Sequence, residues 1–405
     1  MRIVHLLHEF PFPPTSGIRC DMGRRLAAFA ELGHQIFAVS WASAGTSETP
    51  DASRLAELDA MVLESHVLPI GRGYGSKLRR LWHMRRHPSY VAARIPSADE
   101  RARLIERITA FGPDVIWLEG VHPVWLALEL QRVFQVPLLY RSHNIEHRYV
   151  AEQARLARSR RLRLALTAGT WGLERMERAL YGQAQAVYDI SIDDLRWWQQ
   201  QGFERGHWLA PQADRSIMDR MAADPTKRTI DLLFLGSLSS PNNVAGLFWF
   251  VNEIHPLVKA QHPDIRVVVA GRRPGNELAE LLKGAGIELV ADPIDAAPLY
   301  AEARVMMNPI LHGSGVNIKT VDMLASGRPV VTTAKGARGL PGEVVRTLRI
   351  ATSAQEFAKM VVGAVSGARA GEGGDDRRAM MDELFGTAAV EAALRPFQAG
   401  LGIAP

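Results

Sequence analysis

The chain has 405 residues, 47% hydrophobic and 22% charged, a globular composition on a length that favours two domains over one core. No run approaches the ~18–20 consecutive apolar residues of a membrane helix, and the single Cys20 excludes an intramolecular disulfide framework and suits a reducing cytoplasm. A net charge of +5 and a pI near 9.5 point to an anionic partner, but no zinc spacing, RNP-like aromatic motif or basic recognition helix argues for nucleic acid.

The first stretch, MRIVHLLHEFPFPP, has a short apolar core broken by histidines, a glutamate and prolines, so it does not read as a secretory signal. Residues 2–7 read as a buried strand, 8–17 as a proline-rich loop, 19–32 as a helix closed by Gly33, and 35–40 as a second strand. This βαβ opening predicts parallel strands. Residues 41–66 read as loop plus one helix. In the run 77–87, Leu78, Leu81 and Trp82 share one helical face among basic residues, and a second basic run spans 155–163. Such runs are either solvated helix faces or surfaces for an anionic membrane. Residues 113–118 read as a strand, with Glu119 and His122 just past its end, where ligands of open parallel sheets bind. Another strand, 137–141, runs into Ser142-His143-Asn144-Ile145-Glu146. Residues 173–184 read as a helix containing Glu174 and Glu177, and 186–191 as a strand. The segment 210–228 is polar and punctuated by prolines, as a linker would be.

The alternation then restarts. Residues 231–236 read as a strand, Ser237 to Asn243 as a turn with capping residues, 244–260 as a helix and 264–270 as a strand. Residues 287–290 form another strand candidate, followed by Asp292-Pro293-Ile294-Asp295. Residues 304–309 read as a strand leading into the turn Gly313-Ser314-Gly315. A helix is expected from about Val316 to Ser326, with Ile318, Val321 and Ala325 facing a core and Lys319, Asp322 and Ser326 on the other side. Gly327 ends it, Pro329 prevents it from resuming, and 329–333 reads as a short buried strand. Glycines at 313 and 315 permit positive φ and close approach of a ligand, and the N–H groups opening the helix suit a phosphate. The alternative is an ordinary turn of small residues. Residues 367–376 read as a surface loop and 380–400 as a terminal helical region.

Gly313-Ser314-Gly315-Val316, Lys319, Asp322, the run Ala325 to Thr332 and the loop Gly336 to Leu340 resemble the nucleotide-binding signature of family 4 glycosyltransferases, the glycosyl transferases group 1. The β1–helix loop ending at Ser16-Gly17, the His143-Asn144-Ile145-Glu146 element and Phe234-Leu235-Gly236-Ser237 with Pro241-Asn242-Asn243 match more weakly. The resemblance implies an α/β protein of the GT-B fold, two Rossmann-like domains with parallel sheets and an interdomain cleft. An acceptor domain is expected over 1–210, a linker over 211–229, a nucleotide-sugar domain over 230–385, and a helix over 386–405 returning to the first domain.

The same resemblance implies a retaining transfer of a sugar from a nucleoside diphosphate to a hydroxyl of a polysaccharide or lipid-linked glycan intermediate. The donor-binding candidates are Gly17, Ser237, Ser314, Gly315, Val316, Asn317, Lys319, Asp322 and Arg338; the catalytic candidates are His143 and Glu119. Asp322 is assigned the ribose and His143 a place by the donor sugar. Lys319 and Arg338 replace the Arg and Lys that many relatives carry in the first βα loop of the second domain, although Lys319 has Asp322 as an alternative partner one turn on. Neither a metal nor any cofactor is expected. Three departures stand out: Asp322 and Ser314 where the family has two glutamates, and Asp292 where it often has glycine. Ser314 motivates one rival, an inactive sugar-nucleotide-binding subunit; a second rival is a GT-B nucleotide-sugar epimerase, which shares the fold and UDP binding; Asp292 leaves the base identity open. A cytoplasmic protein, peripheral at the inner face of an anionic membrane, completes the expectation.

Overall fold

In a computed structural model describing residues 1–43, 49–71, 73–157, 159–223, 228–313, 315–367 and 374–400, the chain forms two units. Unit 1 is Met1–Ala210 with Val390–Pro405, and unit 2 is Pro211–Ala389. The strands of unit 1 are β1 (Arg2–Leu6), β2 (Gln35–Ser43), β3 (Glu64–Ile70), β4 (Val115–Glu119), β5 (Leu138–Ser142), β6 (Ala186–Asp189) and β7 (Gly206–Trp208). Among the described residues they form one parallel sheet in the order β3-β2-β1-β4-β5-β6-β7. The runs VIWLE and LLYRS are buried end to end, the pattern of strands covered by helices on both faces. The winding direction reverses between β1 and β4. That is the switch point beyond which ligands of such sheets sit.

Where loop plus one helix was expected over 41–66, β2 runs on to Ser43, a helix spans Ala52–Asp59, and β3 follows. In β3, ESHVLPI, only Leu68 is buried. This edge strand has neither an apolar run nor a clean alternation for a sequence reading to detect, and Pro69 is tolerable because it lies on an edge. In the same unit, Tyr188 Oη donates to the Ala393 carbonyl at 2.6 Å, and Val390 and Leu394 are fully buried.

Unit 2 contains β8 (Ile230–Leu235), β9 (Val267–Gly271), β10 (Glu288–Ala291), β11 (Ala303–Asn308), β12 (Val330–Thr333) and β13 (Arg349–Ala351). Among the described residues they form a second parallel sheet, β10-β9-β8-β11-β12-β13, with its switch point between β8 and β11. The helix expected over 244–260 is divided into Pro241–Trp249, a π turn at Phe250–Ile254, and His255–Gln261. Pro256 is the physical reason. It has no N–H and its ring crowds the carbonyl four residues back, and the wider turn before it relieves both conflicts. The stretch read as a linker carries a helix, Arg215–Ala223, in which Ile217 is buried.

Candidate functional site

In unit 2 the strand–turn–helix–strand unit lies at the switch point. β11 ends at Asn308, Gly313 and Gly315 take φ of 140° and 68°, and the helix runs Ile318–Ala325. Gly327, at φ 67°, closes it. Asn317 is the N-cap but makes no side-chain cap bond, so the helix opens with N–H groups that no cap side chain satisfies. Gly315, Val316 and Asn317 thus lie at the positive end of a helix dipole, a place that suits an anion. Ser314 lies outside the described residues.

Lys319 is turned towards β8. Its ammonium hydrogen-bonds Asn243 Oδ1 and lies 4.9 Å from the centre of the Phe234 ring. Asn243 Nδ2 in turn donates to the Ser237 carbonyl at 2.8 Å. The structure therefore brings Ser237 and Lys319 together through Asn243, which the sequence reading placed in a capping turn and a weak family match but gave no role in the site. The alternative pairing of Lys319 with Asp322 is not made; Lys319 forms no ion pair among the described residues. Burial pushes its ammonium down to about 7. Asp322, half-buried, accepts the backbone N–H of Asp214 at 3.2 Å.

A buried network fixes the loop that carries Arg338. Asn308 Nδ2 donates to Thr320 Oγ1 at 2.9 Å, and that hydroxyl donates to the Gly336 carbonyl at 2.8 Å. A Cβ at Gly336 would lie 2.0 Å from Thr332 Oγ1, so only glycine lets the loop come this close. After β10, Asp292 adopts φ 48° and its Oδ1 accepts the Arg273 N–H at 2.9 Å. A left-handed position explains why glycine suits this place; aspartate is among the residues that tolerate it best, and here its side chain is held by the Arg273 N–H.

In unit 1, His143 follows β5 and Glu119 ends the neighbouring β4. His143 Nε2 is 2.8 Å from Glu119 Oε2, and Trp117 Nε1 donates to Glu119 Oε1 at 2.9 Å. Glu119 is fully buried with both oxygens engaged. The two catalytic candidates are thus brought together, with Glu119 reaching His143. Burial alone would raise its carboxyl. The hydrogen bonds from His143 and His5 outweigh that and hold it well below the usual carboxylate range. An ionised carboxylate only accepts, so the proton of a neutral His143 sits on Nε2 and Nδ1 keeps its lone pair.

Sequence reasoning missed the rest of this network. Asp21, on the helix Gly17–Glu31, accepts Arg141 Nε at 3.0 Å and Nη2 at 2.9 Å and lies 3.6 Å from His143 Nε2. Arg141 also donates to the carbonyls of Leu209 and Ala210 at 2.7 and 3.0 Å. The available signal was Arg141 itself, a charge inside an otherwise apolar strand, which must have a partner. Asp21, Glu119 and His143 offer ligand atoms within 4.8 Å of one another. They do not fit a metal ion, because Arg141 occupies Asp21, Arg25 lies 3.9 Å from it, and Nε2 of His143 points its proton at Glu119. Gly17 is the exposed first residue of its helix, behind the N-cap Ser16. Glu177, fully buried, caps the helix Glu146–Leu156 by accepting the N–H groups of Glu146 and His147 at 2.7 and 2.9 Å.

Residues 229–366, which contain every strand of the second sheet and its phosphate-suited turn, match the family described as Glycosyl transferases group 1. That stretch is similar to the glycosyl transferases group 1 family. Across the full chain the fold is that of a glycosyltransferase from Rickettsia africae ESF-5, with a TM-score of 0.64 at 13% identity, covering 99% of this chain and 98% of that one. Anabaena Alr3699/HepE in complex with UDP-glucose gives 0.61 at 13% identity over 99% and 100%. Sucrose-phosphate synthase from Thermosynechococcus elongatus gives 0.61 at 15% identity over 99% of each. The two sheets are thus the two Rossmann-like domains of the GT-B fold. A curated relative, an uncharacterized 44.6 kDa protein in a cps region of Klebsiella pneumoniae, is 34% identical over 140 residues, spanning 33% of this chain and 36% of that protein.

Proposed function

We propose that the protein is a retaining glycosyltransferase that moves a sugar from a nucleoside-diphosphate sugar to a hydroxyl acceptor, a polysaccharide or lipid-linked glycan intermediate. One observation carries the reading: in the stretch similar to group 1, an uncapped helix start behind a glycine turn stands at the switch point, with the half-buried Lys319 on its first turn. Leaving of a nucleoside diphosphate requires neutralisation of the charge developing on it, which N–H groups, Lys319 and Arg338 are suited to supply. That UDP and UDP-glucose occupy structural relatives supports the donor class. The match to a protein of a cps region supports the acceptor class.

In unit 1 the buried carboxylates beside His143 are already committed, Glu119 to Trp117 and His143 and Asp21 to Arg141. Neither is available as a covalent nucleophile, so attack on the same face as departure is the favoured route to retention. His143, with Nδ1 unencumbered by Glu119, is suited to hydrogen-bond the donor sugar. No cation is needed in this scheme, and turnover is expected to survive EDTA. Release of nucleoside diphosphate from a donor panel with and without acceptor tests the reading. Transfer separates it from an inactive binding subunit and from an epimerase, which would change the sugar but transfer nothing.

A peripheral place at the inner face of a membrane is part of the proposal. No helix among the described residues is long and apolar enough to cross a membrane. On the helix Tyr74–His83, however, Leu78, Leu81 and Trp82 are each more than 60% exposed, beside Lys77, Arg79 and Arg80. The helix Arg160–Gly169 adds exposed Leu162 and Leu164 among Arg160, Arg161 and Arg163. Exposed apolar side chains ringed by cations suit an anionic lipid surface.

A further inference from the structure

We propose that unit 1 holds a phosphate group of the acceptor between His8, His122 and Arg94, at the switch point of its sheet. The inference rests on the reading of unit 1 as the acceptor domain and names the chemistry that domain recognises.

His8 follows β1 and His122 follows β4, the two strands between which the winding reverses. Their rings meet edge to face with centroids 3.8 Å apart, and the Tyr90 ring lies 5.4 Å from that of His122. His122 is only 8% exposed, and its buried Nδ1 has no hydrogen-bond partner. A buried ring nitrogen left unpaired is costly, and it marks a place that a ligand completes. Arg94 is fixed beside the pair by Nε donating to the His8 carbonyl at 3.0 Å and Nη1 to the Tyr90 carbonyl at 3.3 Å. Its Nη2 is uncommitted, and no carboxylate pairs with it among the described residues; Glu9 is taken by Arg19 at 2.8 Å.

The charges select the ligand. Burial first, and then the positive field of Arg94 and His143, keep both imidazoles well below their ordinary value, with His8 adding to the effect on His122. Among the charged groups facing them, Glu119 and Arg19 act on His8 with opposite signs. Glu146, at the start of the helix Glu146–Leu156, faces Arg94; burial and Glu177 push it up to about 7, so it sheds its charge near neutrality. A cation would meet repulsion from Arg94 and from any protonated ring. A phosphate meets the fork of Arg94 and two imidazoles that it converts into cationic donors, so binding takes up protons.

The phosphate has two possible sources, a lipid phosphate or a soluble sugar phosphate. The pocket borders the basic and apolar surface: Arg80 Nη2 donates to Ser89 Oγ, the residue before Tyr90, and a Cβ at Gly169 would lie 3.5 Å from Tyr90 Oη. This continuity favours the lipid.

The test is imidazole NMR of the full chain without donor, titrated with inorganic phosphate, glucose 1-phosphate and a short-chain prenyl phosphate in detergent. Each histidine is assigned by its Gln variant. The rings of His8 and His122 are expected to shift and to titrate at higher pH when phosphate is present. His122→Gln should weaken binding at least about tenfold, the loss of one charged hydrogen bond. Arg94→Lys, which can keep a backbone bond and so guards against misfolding, should weaken it similarly. Tighter binding of the prenyl phosphate assigns the lipid source, and tighter binding of glucose 1-phosphate the soluble one. Rings unmoved by all three ligands, or shifts unchanged in both variants, overturn the proposal. Because no donor is present, that failure is distinct from a failure of sugar transfer, which the donor panel reads separately.

Discussion

His143 presents Nε2 to Glu119 Oε2 at 2.8 Å, while Trp117 holds the other oxygen of the same fully buried carboxylate. The pair joins adjacent strand ends and fixes both the ring and its tautomer. On the proposed reading, this relationship, and not the histidine alone, readies Nδ1 for a sugar.

Changing either partner should therefore affect turnover and not nucleotide binding. His143→Ala is expected to lower turnover on the order of 10²-fold, the low end of what a positioned acid, base or hydrogen-bonding group supplies. Glu119→Gln should lower it less, because the amide still accepts from Nε2 but no longer dictates the tautomer. Nucleoside diphosphate affinity by calorimetry should be unchanged in both. Equal losses of affinity and turnover would make the pair a structural prop.

Asp322 is expected to hold the ribose of the donor. Asp322→Ala should weaken donor binding by ~1.5–3 kcal/mol, the scale of a lost charged hydrogen bond, and Asp322→Glu should retain much of it. Since Asp322 also accepts the Asp214 N–H, the folded state of the variant must be verified by circular dichroism. An alanine variant that is folded and binds donor normally would remove Asp322 from the site.

Lys319 predicts a pH dependence. Its folded value, about 7, lies below the ordinary lysine value of 10.5, so between those limits the unfolded chain binds more protons than the folded one. The burial cost is complete below pH 7, and this group's contribution to stability rises as pH increases from 7 to 10.5. Donor binding runs the opposite way. A diphosphate favours the ammonium, so above pH 7 binding must take up a proton and affinity should fall. Lys319→Met should bind weakly and lose most of the decline. Wild-type affinity that is flat between pH 6.5 and 9 would show that Lys319 does not meet the diphosphate.

How much of this was legible in the sequence depended on whether a residue's role is local. The glycine turn, the helix after it and the buried strands on either side follow from spacing that 3.6 residues per turn and close approach dictate, and the structure reproduces them within one or two residues. His143 was nominated because it follows a buried strand within an element that resembles the family's. Asp21 and Arg141 were not, because their partnership spans 120 positions and no local pattern records it. β3 escaped for the reverse reason: as an edge strand it owes little to burial. Asn243 looked like a capping residue and instead links Lys319 to Ser237.

Membrane association should be reversible and sensitive to salt. Each basic residue near an anionic leaflet contributes about 1 kcal/mol and is screened at high ionic strength. Wild type is expected to sediment with anionic liposomes at low salt, and not with neutral ones or at high salt. Replacing Arg79, Arg80, Arg85 and Arg86 by Glu should abolish sedimentation. A wild type that never sediments would return these helices to ordinary solvated faces and favour a soluble acceptor.

The central claim is that unit 2 binds a nucleoside-diphosphate sugar on the helix start behind Gly313 and Gly315 and beside Lys319. A thermal-shift panel of UDP-, GDP- and ADP-sugars tests it most directly, because a ligand that binds only the native state raises its melting temperature. At least one donor should raise the Tm of the wild type, and the same donor should give a much smaller rise with Lys319→Met and with Asp322→Ala. No shift with any donor, or a shift undiminished in both variants, would contradict the account.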